Sequence, residues 1–260
     1  MRSALFRCSA LMAALQSPAM EKDVDINKVV RQHLDMEQFF TGFAVKGETD
    51  SPEQPEQDNS ASAAETIREL EKIAEEIDRC RKCDLGSSRT NSVPGEGSLR
   101  ASIMFVGEAP GADEDAQGRP FVGRAGQLLD KIIKACGLKR NEVWIGNILK
   151  CRPPENRDPR PEEIISCLLY IQRQIELIKP EIIVALGAHA ARTLLNTNKA
   201  IGEIRGQFLE YYAGIGKPPM KLLATFHPAY LLRNYSQENR RLVWEDMKKV
   251  LAELGLPVPE

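Results

Sequence analysis

Long apolar runs are missing from this chain of 260 residues. No stretch reaches about 18 uninterrupted apolar residues, which excludes a helix that spans a membrane. Cysteines number only six, too few and too unevenly placed for a small secreted disulfide protein. Glycine and proline, at 18 and 16 residues, are too sparse for a collagen-like or low-complexity chain. The composition therefore fits one soluble domain with an extension.

A large net charge of one sign is also absent, since the formal total is −2. Residues 1–79 hold 9 Lys and Arg against 16 Asp and Glu, a net of −7. Residues 80–260 hold 26 against 21, a net of +5. A mildly basic domain permits binding to phosphate groups without demonstrating it.

The N-terminal part of the chain has the composition of an extension and a linker. Residues 46–62 are polar and rich in proline and serine. We expect residues 1–62 to be largely disordered and residues 63–260 to form the folded domain. Residues 1–20 lack Asp and Glu, so an organelle presequence is the alternative to the favoured location, the cytoplasm of a bacterium.

Short apolar runs alternate with helical stretches in the remainder of the chain. The runs that predict buried strands are Ser102–Val106, Val143–Ile148, Ile182–Leu186 and Leu222–Phe226. The helical stretches are Ala64–Arg79, Ala125–Cys136, Pro161–Ile178, Ala188–Leu195 and Gln237–Leu254. This alternation predicts an α/β fold in which helices cover both faces of a parallel sheet. Ligands in such folds bind beyond the carboxyl ends of the strands, so the residues that follow the strands are the candidates for function.

Four of the cysteines are spaced so that their thiols can meet at one centre. Cys80 and Cys83 form a C-x2-C pair at the end of the first helical stretch. Cys151 follows the second strand, and Cys167 lies 16 residues later in the next helix. Four thiolates suit zinc or an iron–sulfur cluster. Four free thiols in the core are the alternative.

A glycine-rich turn and an acidic run follow the first strand. Residues 107–111 read GEAPG and predict a rigid turn whose N–H groups are free to face a ligand. Glu114 lies in the acidic run behind it, which a solvated surface would also explain. Phe121 comes next, and its ring either packs in the core or presents its face to a flat ligand.

Polar residues also follow the second and fourth strands. The side chain of Asn147 has a donor and an acceptor, which suits the reading of a base edge, although an asparagine at this position commonly caps a turn. His227 precedes a predicted loop that contains Leu231, Leu232 and Arg233. A histidine, an exposed apolar wedge and an arginine together suit an enzyme that pushes a base out of a duplex.

These motifs together resemble the uracil-DNA glycosylase superfamily, and most closely its family 4. The resemblance covers roughly residues 65–254 and rests on GEAPG with its acidic run, RPFVG, GNILKCRPP, HPAYLLR and the ordered cysteines. It implies a three-layer α/β/α sandwich on a four-stranded parallel central sheet. It also implies a 4Fe–4S cluster and excision of uracil from single- or double-stranded DNA by a monomer.

The resemblance implies a role for each residue that would surround the base. Phe121 would stack on uracil, Asn147 would read its O4 and N3 edge, and His227 would donate to O2. The turn at the water site would be formed by Gly107, Glu108 and Ala109. Glu108 is the best candidate carboxylate in that turn, and Glu114 is a plausible second.

The resemblance also implies cluster ligands and DNA contacts. The cluster ligands would be Cys80, Cys83, Cys151 and Cys167. The DNA contacts would be made by Pro94, Gly95, His189, Leu231, Leu232 and Arg233. A relative that traps uracil covalently has a histidine in an added basic loop, and residues 150–162 contain none. The open alternatives are such a trap and a non-catalytic iron–sulfur protein that binds DNA.

Overall fold

The computed structural model describes residues 59–213, 217–234 and 236–258. The expected disorder of residues 1–58 therefore lies outside the described residues. Residues 59–62, which we expected in the linker, are helical. Within the described ranges, no helix has both the length and the hydrophobicity to cross a bilayer.

Helices and strands alternate along the described chain. The helices are α1 (Asn59–Asp78), α2 (Leu85–Ser88), α3 (Ala112–Gln117), α4 (Arg124–Ala135), α5 (Pro161–Ile178), α6 (Ala188–Leu195), α7 (Ile201–Ile204), α8 (Pro228–Arg233) and α9 (Gln237–Glu253). The strands are β1 (Glu96–Gly97), β2 (Ile103–Gly107), β3 (Trp144–Asn147), β4 (Ile182–Leu186), β5 (Phe208–Tyr211) and β6 (Met220–Thr225). Short 3-10 turns cover Arg140–Glu142 and Pro154–Asn156.

The strands form one mixed sheet in the order β1-β3-β2-β4-β6-β5. β2 pairs in parallel with β3 and β4, and β4 pairs in parallel with β6. β1 and β5 are antiparallel strands at the two edges. The α/β class is confirmed, but the sheet has six strands of mixed direction where four parallel strands were expected. Both unexpected strands are short and incompletely buried, so neither leaves a continuous apolar run in the sequence.

Successive side chains of the inner strands point to opposite faces of the sheet and enter two separate cores. Met104 and Val106 of β2 pack in the core that contains residues of α1, α5 and α6. Ile103 and Phe105 pack in the core that contains residues of α4 and α9. Because helices cover both faces, the inner strands are buried throughout, which is why they appear in the sequence as uninterrupted apolar runs.

Four of the five predicted helices match their predictions closely, whereas α1 begins five residues before the predicted Ala64. α5 and α6 have the predicted bounds, and α4 and α9 differ from theirs by one residue. The start of α5 is fixed by Pro161 in its first turn and by Glu163, whose carboxylate accepts the N–H of Arg160 at 2.8 Å. The loop that connects β3 to α5 therefore ends at Arg160.

Candidate active site

A cavity of about 560 Å³ lies beyond the carboxyl ends of the parallel strands. Residues that follow β2, β3, β4 and β6 all contribute to its wall. Eight of the predicted site residues line it: Glu108, Ala109, Glu114, Phe121, Asn147, His189, His227 and Arg233. The rule that ligands bind beyond strand ends therefore located this cavity from the sequence.

Asn147 places a buried amide in the wall of the cavity. Asn147 is only 1% exposed, and its Oδ1 atom has no hydrogen-bond partner among the described residues. A buried polar atom without a partner costs roughly 1–3 kcal/mol. The Oδ1 atom can therefore accept a hydrogen bond from a group that enters the cavity.

Gly107 does not line the cavity but allows the side chains in its wall to come together. A Cβ atom at this position would lie 2.4 Å from Oδ1 of Asn147 and 2.5 Å from Cζ of Phe121. Any larger residue would displace both groups. Gly107 therefore permits this packing, and its predicted place in the turn at the water site stays a prediction.

Phe121 presents its ring close to His227 in the cavity. The two ring centroids are 5.7 Å apart, and the planes are tilted by 32°. The backbone of Phe121 has a φ of +50°, which is uncommon for a residue other than glycine. An unusual conformation of this kind persists only where the surroundings hold it.

Glu114 braces the two turns that frame the cavity. Its Oε1 accepts the N–H groups of Val122 at 2.8 Å and Gly123 at 2.9 Å. Its Oε2 accepts the N–H of Gly111 at 3.0 Å. With both oxygens engaged, the carboxylate is better placed to hold the Phe121 turn than to activate water.

His227 is held in one orientation by the backbone of the helix that it precedes. Its Nδ1 accepts the N–H of Ala229 at 3.0 Å, so the neutral ring carries its proton on Nε2. The pKa of His227 is lowered to about 4, chiefly by burial and also by the positive charge of Arg233, while Glu114 opposes the shift. At neutral pH the ring is therefore an uncharged donor.

Glu108, Asp158 and His189 form a polar cluster on one side of the cavity. Their ligand atoms all lie within 4.8 Å of one another, and Nε2 of His189 is 3.8 Å from Oδ1 of Asp158. Burial raises the pKa of the Glu108 carboxyl, and the charge of Asp158 adds to this, whereas His189 and Arg233 lower it. A carboxylate with these neighbours can accept a proton or hold a water molecule.

Several cavity residues were missed from the sequence. Pro153, Asn156, Arg157 and Asp158 come from the loop between β3 and α5, and Tyr230 comes from α8. The loop directly follows Cys151, and its position after a strand was the available signal. Its arginines and prolines gave no indication of which side chains face inward.

Several known proteins resemble this chain in sequence. A family profile described as the uracil DNA glycosylase superfamily matches residues 94–248. The type-4 uracil-DNA glycosylase of Thermotoga maritima is 47% identical over 181 residues, which cover 69% of this chain and 92% of the relative. The enzymes of the same name from Sulfurisphaera tokodaii (47% over 186 residues, 70% and 83%) and Archaeoglobus fulgidus (46% over 188 residues, 71% and 92%) are similarly close. The chain belongs to the uracil DNA glycosylase superfamily. The resemblance found in the sequence is thereby confirmed.

The segment of this glycosylase-family chain that we expected to insert into DNA as a loop is a helix. Residues 228–233 form the short helix α8, which packs against α4. Leu231 is only 3% exposed, so the prediction that it forms an exposed wedge is wrong. Leu232 is half-buried, and Arg233 is exposed at the cavity rim. The prediction failed because the helical turn of α8 directs the side chain of Leu231 inward.

The predicted phosphate-contacting residues Pro94 and Gly95 lie outside the cavity, next to the edge strand β1. The carbonyl of Pro94 accepts hydrogen bonds from Gln174 at 2.8 Å and from the buried Lys150 at 3.1 Å. Gly95 has a φ of +118°, and a Cβ there would lie 3.1 Å from the carbonyl of Ile145. The turn is thus fixed by the fold and partly exposed.

The four predicted cluster cysteines of this family member lie in one region beside α1 and α5. None forms a disulfide; Cys80 and Cys83 are partly exposed, and Cys151 and Cys167 are buried. Burial raises the pKa of Cys151 and Cys167, the latter to about 12, and neighbouring cysteine charges add to both shifts. Among the described residues, no three of these four sulfur atoms lie within 4.8 Å of one another.

Nitrogen donors already point at two of these sulfur atoms. The main-chain N–H of Lys150 donates to Sγ of Cys167 at 3.2 Å, and Nη1 of Arg89 donates to Sγ of Cys151 at 3.1 Å. Such donors stabilise thiolates, which are the form that binds metal. Two of the four predicted ligand sulfurs therefore have donors that would support them as thiolate ligands of a cluster.

Proposed function

We propose that this protein excises uracil from DNA by hydrolysing its N-glycosidic bond, which leaves an abasic site for base excision repair. The observation that carries the proposal is the unpartnered Oδ1 of the buried Asn147, set in one cavity with Phe121 and His227. Close similarity to enzymes named type-4 uracil-DNA glycosylase supports the same reaction. The activity belongs to the domain over residues 63–260.

Base recognition depends on the Asn147 amide and the Phe121 ring. The amide donates to O4 of uracil and accepts from N3–H, while the ring stacks on the face of the base. Cytosine presents a donor and an acceptor in the reverse arrangement, so both polar pairs would be mismatched. Buried mismatches of this kind discriminate strongly between substrates that are otherwise alike.

His227 supports departure of the base. Bond cleavage builds negative charge on uracil, and the neutral Nε2–H of His227 donates to O2 as that charge develops. A positioned donor of this type contributes roughly 3–4 kcal/mol to the barrier reduction. Because the ring is already oriented by the N–H of Ala229, no reorganisation is needed at the moment of reaction.

Glu108 acts on the deoxyribose side of the N-glycosidic bond. Cleavage leaves positive charge on the deoxyribose, which a carboxylate stabilises while it holds the attacking water. Glu108 is better suited to this task than Glu114, whose two oxygens accept three main-chain N–H groups. Ala109 is a small residue beside it that leaves room for the water.

Single- or double-stranded DNA approaches across the rim of the cavity. Arg233 and the turn at Pro94 and Gly95 contact phosphate groups, and the monomer is sufficient for the reaction. His189 contributes to the electrostatics of Glu108 and not only to phosphate contact, because it lies in the cluster with Asp158.

A 4Fe–4S cluster would be held by Cys80, Cys83, Cys151 and Cys167. When bound, it supplies a structural cross-link between the end of α1, the loop after β3 and the helix α5. That loop carries Asp158 into the cavity, so the cross-link supports the site without taking part in the chemistry.

One assay separates this function from the two alternatives. The full chain is incubated with a labelled oligonucleotide that carries a single uracil, then treated with alkali, and a matched thymine oligonucleotide is the control. Strand cleavage at uracil alone supports the glycosylase. A covalently shifted band indicates a trap, and binding without either product indicates a non-catalytic DNA-binding protein.

A further inference from the structure

The turn that carries Phe121, residues 118–123, is held from two sides. On one side, Glu114 accepts the two N–H groups that directly follow Phe121. On the other side, the guanidinium of Arg140 donates to the carbonyl oxygens of Pro120 and, at 3.1 Å, of Phe121 itself. The polar backbone groups around this ring are therefore fixed by side chains from outside the turn.

Arg140 uses all of the N–H donors that its guanidinium offers. Its Nε and Nη2 donate to Oε1 of Glu96 at 3.0 and 2.9 Å, and its Nη1 donates to Oδ1 of Asp130 at 2.7 Å. The remaining two donors reach the carbonyl groups of the turn, which accounts for all five. The side chain is only 22% exposed, so water competes little for these bonds.

The conformation of Phe121 requires this restraint. Its φ of +50° is uncommon for a residue with a side chain, and it persists only where the surroundings determine it. Gly126 provides the space, because a Cβ there would lie 1.9 Å from the Phe121 carbonyl oxygen. Arg140 binds that same oxygen and so fixes the direction in which the ring points.

We propose that Arg140 is a positioning residue for the Phe121 ring and that Glu96 orients Arg140 for this task. Arg140 does not line the cavity and acts only through the carbonyl groups beside Phe121. The inference rests on the proposed uracil excision, because there the ring has to meet the face of the base. Small displacements of such a group lower the rate of the chemical step.

A double-mutant cycle on the full chain tests the proposal. The single-turnover rate of uracil excision at saturating enzyme is measured for the wild type, R140Q, F121A and the double variant. We expect R140Q to slow excision by about tenfold or more. In the F121A background the same change should alter the rate by less than about twofold, because the positioned ring is gone. R140K should remain slow, because an ammonium group has three donors and lacks the planar fork.

R119Q is the matched control. Arg119 lies within the turn and also binds Glu96, at 2.8 Å through Nε and 2.9 Å through Nη2, but among the described hydrogen bonds its side chain makes none to the main chain of residues 118–123. We expect R119Q to stay within about twofold of the wild-type rate. Hydrogen exchange of residues 118–126 should be faster in R140Q and unchanged in R119Q.

The results separate this inference from the proposed function. Losses from R140Q and F121A that multiply in the double variant, or an R140Q protein with wild-type rate and exchange, overturn the inference. If R140Q does not fold, E96Q replaces it in the same cycle, with the same expected loss of effect in the F121A background. A wild-type protein that releases no uracil contradicts the proposed function, and the exchange comparison then decides by itself whether Arg140 restrains the turn.

Discussion

The Nδ1 atom of His227, which lines the cavity, accepts the main-chain N–H of Ala229 at 3.0 Å, and this leaves the proton of the neutral ring on Nε2. Replacing His227 by Ala removes a donor whose bond strengthens as charge develops on the departing base. We expect H227A to lower the single-turnover rate by roughly 100-fold or more, with little change in DNA affinity. Rapid-quench kinetics at saturating enzyme measure the rate, and equilibrium titration measures the affinity.

In the same experiment we expect R233A to change the DNA affinity and to leave the rate nearly unchanged. Arg233 is exposed at the rim, so its removal should weaken DNA binding and reduce the salt dependence of the affinity. The rate of the bound complex should change little. If both variants lose only affinity, His227 is a DNA contact and its assigned role is wrong.

Acid sensitivity of folding is a second consequence of the low pKa of His227. Burial lowers its pKa to about 4 in the folded chain, whereas an unfolded histidine titrates near about 6.5. Between these values the unfolded chain binds a proton that the folded chain does not, so lowering the pH destabilises the fold. From pH 7 to pH 5, the wild type should lose about 1–2 kcal/mol more unfolding free energy than H227Q.

Urea denaturation of both proteins at the two pH values measures this difference. The comparison with H227Q cancels the contributions of all other titrating groups, including Glu108, whose raised pKa acts in the opposite direction. Equal losses in the two proteins would mean that the pKa of His227 is not depressed.

The pH dependence of the rate should report the carboxylate of Glu108. Burial and the charge of Asp158 raise its pKa, so activity should fall on the acid side at a pH above the usual range of a glutamate. D158N removes a charge that raises this pKa and should shift the acid limb to lower pH. H189Q removes a charge that lowers it and should shift the limb to higher pH.

Single-turnover rates from pH 4 to pH 8 on one uracil oligonucleotide test both shifts. An acid limb that stays at the same pH in D158N and H189Q would assign the titration to a group other than Glu108.

The cluster cysteines can be tested by metal content. Aerobically purified protein should be brown and contain about four irons per chain. C83S and C151S should bleach this colour and lower the thermal midpoint of unfolding. C136S is the matched control, because Cys136 is also buried but packs in the other core, with α4 and α9. A colourless, active preparation with one zinc per chain contradicts the cluster.

The sequence predicted the position of the cavity because parallel strands bring their carboxyl ends together. Asn147 at the end of β3 and His227 after β6 are far apart in the chain, yet both face the same space. The long helices were also predictable, since α5 has a proline start and a continuous apolar face. Local patterns thus carried most of the fold.

Other features depended on contacts between distant residues and left no local signal. Leu231 was read as exposed because it was placed in a loop after the fourth predicted strand, but the helical turn of α8 directs it inward. The edge strands β1 and β5 lack an apolar run. Likewise, nothing in the sequence pairs Arg140 with the carbonyl of Phe121, 19 positions away.

The central claim is that the buried Asn147 amide reads uracil. N147D keeps the size of the side chain but replaces the donor by a second acceptor, which repels O4 of uracil and can accept from N4 of cytosine. The decisive measurement compares single-turnover rates of the wild type and N147D on matched oligonucleotides with uracil or cytosine. We predict that N147D loses several orders of magnitude in uracil excision and gains weak excision of cytosine. Near-normal excision of uracil by N147D would contradict the claim and leave selectivity to the shape of the pocket around Phe121.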